Sequence, residues 1–211
     1  MIEFLYQTAL ADCYLYAGSR SEPDFPKGVG AGSSFHFALK HACNTGHVKD
    51  RFYTMQDCIT EKPVAPLKRR ARDYRISGCV DLLDSTTNMT HLMRLIKATL
   101  SGNLTREMAP NLVGVSLVLY ESFHSAASGQ DGLISIPLDG ERRSDNHAMV
   151  IVGYIDADHP SNPYGITLYL VRNSWGSEWA SDNPYGFEGH ALIPEAYFTR
   201  ERVIEAYFAM I

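Results

Sequence analysis

The sequence predicts an α+β fold in two lobes, a helical first third followed by a β-rich last half. Three observations carry this. Near the start, Ile2, Leu5, Tyr6, Ala9, Leu10 and Cys13 recur at helical spacing. Long β-branched apolar runs are confined to the second half, at 112–120, 148–154 and 166–171. Turn-rich segments separate those runs, as expected of antiparallel strands in a barrel or sandwich. With 211 residues, 45% hydrophobic and 20% charged, the chain has globular composition and enough length for one large domain or two small lobes.

The elements follow in order. The spacing predicts a helix over 2–17, ended by Gly18, Pro23 and Pro26. A loop rich in Gly, Ser and Pro covers 18–32. Its Gly28-Val29-Gly30-Ala31-Gly32 is read as a flexible loop, because no strand precedes it as a phosphate cradle requires. Ser33 or Ser34 caps a second helix carrying Phe37, Ala38, Leu39 and Ala42, stopped near Gly46. Residues 47–73 read as irregular, with a basic stretch at Lys68-Arg69-Arg70-Ala71-Arg72 that forms a solvated face. Tyr74-Arg75-Ile76 reads as a short strand. Thr87 or Asn88 caps a helix whose apolar face is Leu92, Leu95, Ile96, Thr99 and Leu100, and Gly102 ends it. Strands follow at 112–120, 148–154, 166–171 and 189–194. The division expected is a helical lobe over 1–73 and a β lobe over 74–211.

Charge and cysteine content exclude several classes. Lys+Arg is 19 and Asp+Glu 24, a net charge of -5, which lacks the bulk basicity of a nucleic-acid binder. No apolar run approaches the ~20 residues of a membrane span. Met1-Ile2-Glu3-Phe4-Leu5-Tyr6 has no basic segment before an apolar core, so no signal peptide opens the chain and a soluble protein of unknown compartment is expected. Cys13, Cys43, Cys58 and Cys79 form no C-x-x-C pair, which argues against a zinc site; they read mostly as buried thiols, with two disulfides arithmetically allowed. His36, His41, His47, His91, His124 and His159 have no partner at metal spacing. No cofactor or metal is expected.

Two polar positions differ from the rest. His147 sits at the entrance of a very apolar strand, and Asn173 at the exit of another. If these strands are antiparallel neighbours, the two residues face each other at one rim of the sheet. The Asn173 carbonyl then accepts a hydrogen bond from one ring nitrogen, fixes the tautomer and leaves the other nitrogen to act as a base. Trp175 would cover that bond and exclude water. The same pair also reads as a histidine capping a strand and an asparagine in a turn.

Asn146-His147-Ala148 and Asn173-Ser174-Trp175-Gly176-Ser177-Glu178-Trp179 resemble the histidine and asparagine blocks of papain-like cysteine peptidases. Tyr185-Gly186-Phe187-Glu188-Gly189-His190-Ala191-Leu192-Ile193-Pro194 looks like the strand that follows in that family. Leu117-Val118-Leu119-Tyr120-Glu121-Ser122-Phe123 and Phe4-Leu5-Tyr6 resemble its bacterial-type members. The resemblance implies a papain-like two-lobed fold, here an incomplete helical lobe followed by an antiparallel β-barrel lobe. It implies hydrolysis of a peptide or protein substrate by a Cys-His-Asn mechanism, with His147 and Asn173 catalytic and Trp175 supporting.

The family's cysteine block, Gln followed by Cys-Gly-Ser-Cys-Trp, is absent. Cys13 lies 134 residues before His147, within the family's window, with Gln7 six residues earlier as an oxyanion partner and Tyr14 for the following aromatic. Cys13, however, falls near the end of the helix expected over 2–17, away from the helix N-terminus that lowers a nucleophile's pKa. Phe4-Leu5-Tyr6-Gln7-Thr8-Ala9-Leu10 aligns better with the helix after the family's central one. The nucleophile is then expected on a segment upstream of Met1, with any propeptide. The alternative is an inactive papain-fold peptide-binding or regulatory protein. Cys43 or Cys58 would serve in a structural disulfide.

Overall fold

The computed structural model describes residues 1–26, 32–106 and 108–211. Residues 28–31 of the glycine-rich loop lie outside the described residues. The chain divides into two units, Met1–Val80 with Tyr207–Ile211, and Asp81–Ala206.

Among its described residues the first unit contains five short α-helices, α1 (Ile2–Tyr6), α2 (Asp12–Arg20), α3 (Phe35–Asn44), α4 (Met55–Ile59) and α5 (Lys68–Ala71), and leads into strand β1 (Gly78–Asp81). The single helix expected over 2–17 is two helices. Gln7 takes φ 49, Leu10 bridges Lys49, and the Ala11 N–H donates to the Val48 carbonyl at 2.9 Å. The apolar spacing survives the break because its members serve two different clusters. Leu10 packs with Ile2, Leu39, Ala42 and Ile76, whereas Cys13 packs against the cluster of Ala11, Tyr14, Val48, Tyr53, Val64 and Ala71. Cys13 therefore sits in the first turn of α2, not near a helix end.

Helix α3 forms as expected. The Ser34 side chain accepts from the Phe37 N–H at 3.4 Å, and Leu39 and Ala42 are buried. Gly46 follows at φ 102, where a Cβ would lie 1.9 Å from the Ala71 carbonyl oxygen, so only glycine fits. The stretch 47–73, expected to be irregular, holds α4 and α5. A capping box between Thr54 and Asp57 starts α4, and such short, locally capped helices leave too few residues for a visible period. Lys68, Arg69 and Arg70 are exposed, as a solvated face requires. The strand expected at 74–76 is displaced. Arg72–Tyr74 is a 3₁₀ turn, Ile76 is a buried core residue, and pairing begins at Gly78.

The second unit contains α6 (Met89–Leu100), β2 (Val113–Tyr120), α7 (Ala126–Asp131), β3 (Arg143–Ile155), β4 (Leu168–Arg172) and β5 (His190–Pro194), and β6 (Val203–Met210) begins within it. Asn88 caps α6 by accepting the His91 N–H at 3.2 Å, and α6 buries Leu92, Met93, Ile96 and Thr99. Strands run in the order β1-β6-β2-β3-β4-β5, with β2–β3, β3–β4 and β4–β5 antiparallel. All eight residues of β2 are buried, which explains its unbroken apolar run. The barrel expected from the sequence is an open sheet, since β1 and β5 are its edges and do not pair. Strand β6 was absent from the sequence expectation, although Val203, Ala206, Tyr207, Phe208 and Ala209 are buried. No helix among the described residues is long and apolar enough to cross a membrane.

Candidate active site

The second unit brings His147, Asn173 and Trp175 together. His147 lies on β3, opposite Leu117 of β2. Asn173 follows directly after β4, whose last residue, Arg172, pairs with Val150 of β3. The antiparallel return thus carries Asn173 back beside His147. His147 Nε2 lies 2.8 Å from Asn173 Oδ1. That acceptor also takes the Ser174 backbone N–H at 2.7 Å. A backbone N–H only donates, so the shared atom is an oxygen and the imidazole must bring its proton on Nε2. Nδ1 is then the nitrogen left for proton transfer. Asn173 is only 7% exposed, so the bond is largely withdrawn from competing water.

Trp175 stacks on His147 with ring centroids 5.3 Å apart and planes 29° from parallel. At 39% exposure it forms a partial roof. An aromatic cluster holds the indole. Phe123, fully buried, meets Trp175 edge-on at 5.8 Å and stacks on Trp179 at 6.0 Å. Trp179 meets Trp175 edge-on at 5.4 Å. The connecting loop is tied at both ends, by Asn173 N–H to Gly189 O at 3.0 Å and Gly189 N–H to Trp179 O at 2.8 Å. Gly189 has φ 72, and a Cβ there would press on the Gly176 carbonyl at 3.0 Å. That closure fixes where Asn173 and Trp175 sit.

One neighbour was missed. His124, read from the sequence as a histidine with no partner at metal spacing, also stacks on Trp175, at 5.4 Å and 28°. Its Nε2 lies 3.0 Å from Ser144 Oγ. The dipeptide Phe123-His124 just after the longest apolar run was the available signal, because a strand end is where side chains reach a site.

Cys13 and Gln7 belong to the first unit. Gln7 is exposed in the turn after α1. The Cys13 thiol faces Met55 Sδ at 3.4 Å and is a hydrogen-bond partner of Cys58, whose Sγ also lies 3.8 Å from the Cys13 carbonyl. Its place in the first turn of α2 would favour a thiolate through the helix dipole. Burial, Cys58 and the Asp12 carboxylate oppose this and push the thiol up to about 11. The opposing effects win, and on the order of one thiol in 10⁴ is ionised at pH 7. Cys43 and Cys79 are likewise thiols, half-buried in the first unit. Among the described residues no group of three or more His, Cys, Asp or Glu side chains is placed to hold a metal ion.

Comparison with known proteins bears on this arrangement. The sequence profile described as papain family cysteine protease matches residues 34–187. An uncharacterized peptidase C1-like protein of Acanthamoeba polyphaga mimivirus is 27% identical over 124 residues, 59% of this chain and 33% of that protein. Peptidase 1 of Dermatophagoides pteronyssinus is 40% identical over 57 residues, 27% of this chain and 16% of that protein. The chain thus spans a third or less of the curated relatives it matches. Among solved structures, xylellain, a cysteine protease from Xylella fastidiosa, superposes with TM-score 0.69 at 15% identity, over 99% of this chain and 74% of that one. Digestive procathepsin L 3 of Tenebrio molitor larval midgut superposes with TM-score 0.63 at 16% identity, over 100% of this chain and 59% of that one.

Proposed function

Because the chain belongs to the papain family of cysteine proteases, we propose that it hydrolyses peptide bonds in peptides or proteins through a Cys-His-Asn mechanism in which His147 and Asn173 are the proton-transfer pair. The observation that carries this reading is the 2.8 Å bond from His147 Nε2 to Asn173 Oδ1 beneath Trp175. With Nε2 committed to Asn173, His147 Nδ1 takes the proton of the attacking thiol and returns it to the leaving amine. Water then adds to the acyl-enzyme, with His147 again accepting the proton. Asn173 touches no reacting atom and acts by orienting the ring. Trp175 keeps water from the bond that does so.

The nucleophile in this reading lies outside residues 1–211. The support is chemical: a thiol pushed up to about 11 by burial, Cys58 and Asp12 is a poor thiolate source at neutral pH. The helical first unit and the β-rich second unit correspond, in this proposal, to a partial left lobe and the right lobe of the family fold.

The test is active-site labelling of the protein as its source cell makes it, with a thiol-reactive peptidyl epoxide and mass mapping of the adduct. The expected result is a stoichiometric adduct on a cysteine outside residues 1–211, with labelling slowed at least ~100-fold by His147→Ala. A His147-dependent adduct on Cys13 would overturn the placement of the nucleophile. A protein that takes no label and cleaves no peptide would overturn the activity itself.

A further inference from the structure

All four cysteines lie in the first unit and sort into two neighbouring pairs, Cys13 with Cys58 and Cys43 with Cys79. The second pair joins two elements distant in sequence. Cys43 is in the last turn of α3, and Cys79 is the second residue of β1. Both side chains pack on one apolar cluster, built on Ile2, Leu10, Leu39, Ala42 and Ile76. Their thiols are hydrogen-bond partners. The backbone reinforces the approach, since Arg75 Nε donates to the Cys43 carbonyl at 2.8 Å, four residues before Cys79.

We propose that Cys43 and Cys79 form a redox-responsive clasp, two thiols in the structure described here that a low-molecular-weight disulfide such as oxidised glutathione converts to a disulfide between α3 and β1. The Cys43 thiolate attacks one glutathione sulfur, forming a mixed disulfide and releasing the other glutathione as thiolate. The Cys79 thiolate then attacks the Cys43 sulfur, breaks the mixed disulfide and releases the second glutathione. The two protein protons end on the two departing thiolates, so two protein thiols are oxidised while one glutathione disulfide becomes two glutathiones.

Three features favour this pair. The two side chains pack on one cluster and interact with each other, so closing the bond calls first on side-chain rotation. Both residues are half-buried, which leaves the reagent a path. The Arg75 guanidinium and the Cys79 hydrogen bond favour the Cys43 thiolate and counter part of the burial that disfavours it. Cys13, in contrast, faces the Asp12 carboxylate. The clasp closes the chain from α3 to β1, across the segment holding α4 and α5, and removes freedom from the unfolded chain.

The test is incubation of the reduced chain with oxidised glutathione at mildly alkaline pH, followed by acid quench, alkylation and non-reducing peptide mapping. The expected result is a Cys43–Cys79 linked peptide as the main product at these two positions. The thermal midpoint of the first unit should rise by on the order of 10 °C and fall back on reduction with dithiothreitol. Cys43→Ser and Cys79→Ser should each abolish the linked peptide and the rise. Recovery of Cys43 and Cys79 as alkylated or glutathionylated peptides, or linked to other cysteines, would overturn the proposal. The wild-type map decides the matter even if a variant folds poorly.

Discussion

In the second unit one strand, β2, buries all eight of its residues and carries partners that run on into β3 and β4. The first unit divides its core between two small clusters fed by helices of four to ten residues. The long ladder brings His147 and Asn173 together by register, because the same antiparallel return that buries Val171 and Ile151 sets Asn173 beside His147, and the closure through Gly189 then fixes Asn173 there. The short helices have no ladder to align them. They hold their places by caps, by partly buried polar contacts such as Tyr53 OH to the Lys62 carbonyl at 2.6 Å, and by packing on the two clusters. A site needing sub-ångström placement is better served by the first kind of construction.

The contrast breaks most severely at the centre of the ladder. Leu117, fully buried opposite His147, should cost about 3–5 kcal/mol on replacement by Ala. Urea unfolding followed by a tryptophan signal reads this, since Trp175 and Trp179 both lie in the second unit.

Acid should strike the first unit. Burial lowers His47 from its ordinary 6.5 to about 4, so between these values the unfolded chain holds a proton that the folded one does not. The stability this group contributes is complete above about pH 6.5 and is lost as the pH falls through about 4, a total of about 3 kcal/mol. The first unit is therefore expected to open earlier on acidification. Amide exchange in α2 and α3 should accelerate between pH 6.5 and 4, once corrected for intrinsic rates, while exchange in β2 should not.

The smallest effect sharpens the comparison at a helix end. Asn88→Ala removes the oxygen that caps α6 through the His91 N–H and should cost about 1 kcal/mol. A thermal midpoint unchanged by this substitution would mean that packing of Leu92, Met93 and Ile96 alone holds the helix.

What could be read from the sequence follows the same division. In the second unit, the run 112–120 marks a strand because β2 is buried on both faces, the run 148–154 does so by its β-branched apolar residues around the buried Met149 and Ile151, and the histidine and asparagine at the ends of such runs announce the site. The sheet's failure to close was not legible, since closure depends on which edges meet and not on any one strand. In the first unit, periodicity misled. Leu10 and Cys13 keep helical spacing although each faces a different cluster, and the positive φ of Gln7 leaves no sequence mark. The single helix expected over 2–17 put Cys13 near a helix end, whereas it lies in the first turn of α2, where burial, Cys58 and Asp12 disfavour its thiolate. His124 was overlooked because stacking on Trp175 joins residues fifty-one positions apart.

The orientation of His147 rests most directly on the proton carried by its Nε2. Nitrogen NMR of the imidazole at alkaline pH reads the tautomer. The Nε2–H form is predicted, shifting toward a mixture of both tautomers in Asn173→Ala as the acceptor is lost. An Nδ1–H ring in the wild-type protein, or a tautomer indifferent to Asn173→Ala, would contradict the claim that Asn173 orients His147 for proton transfer.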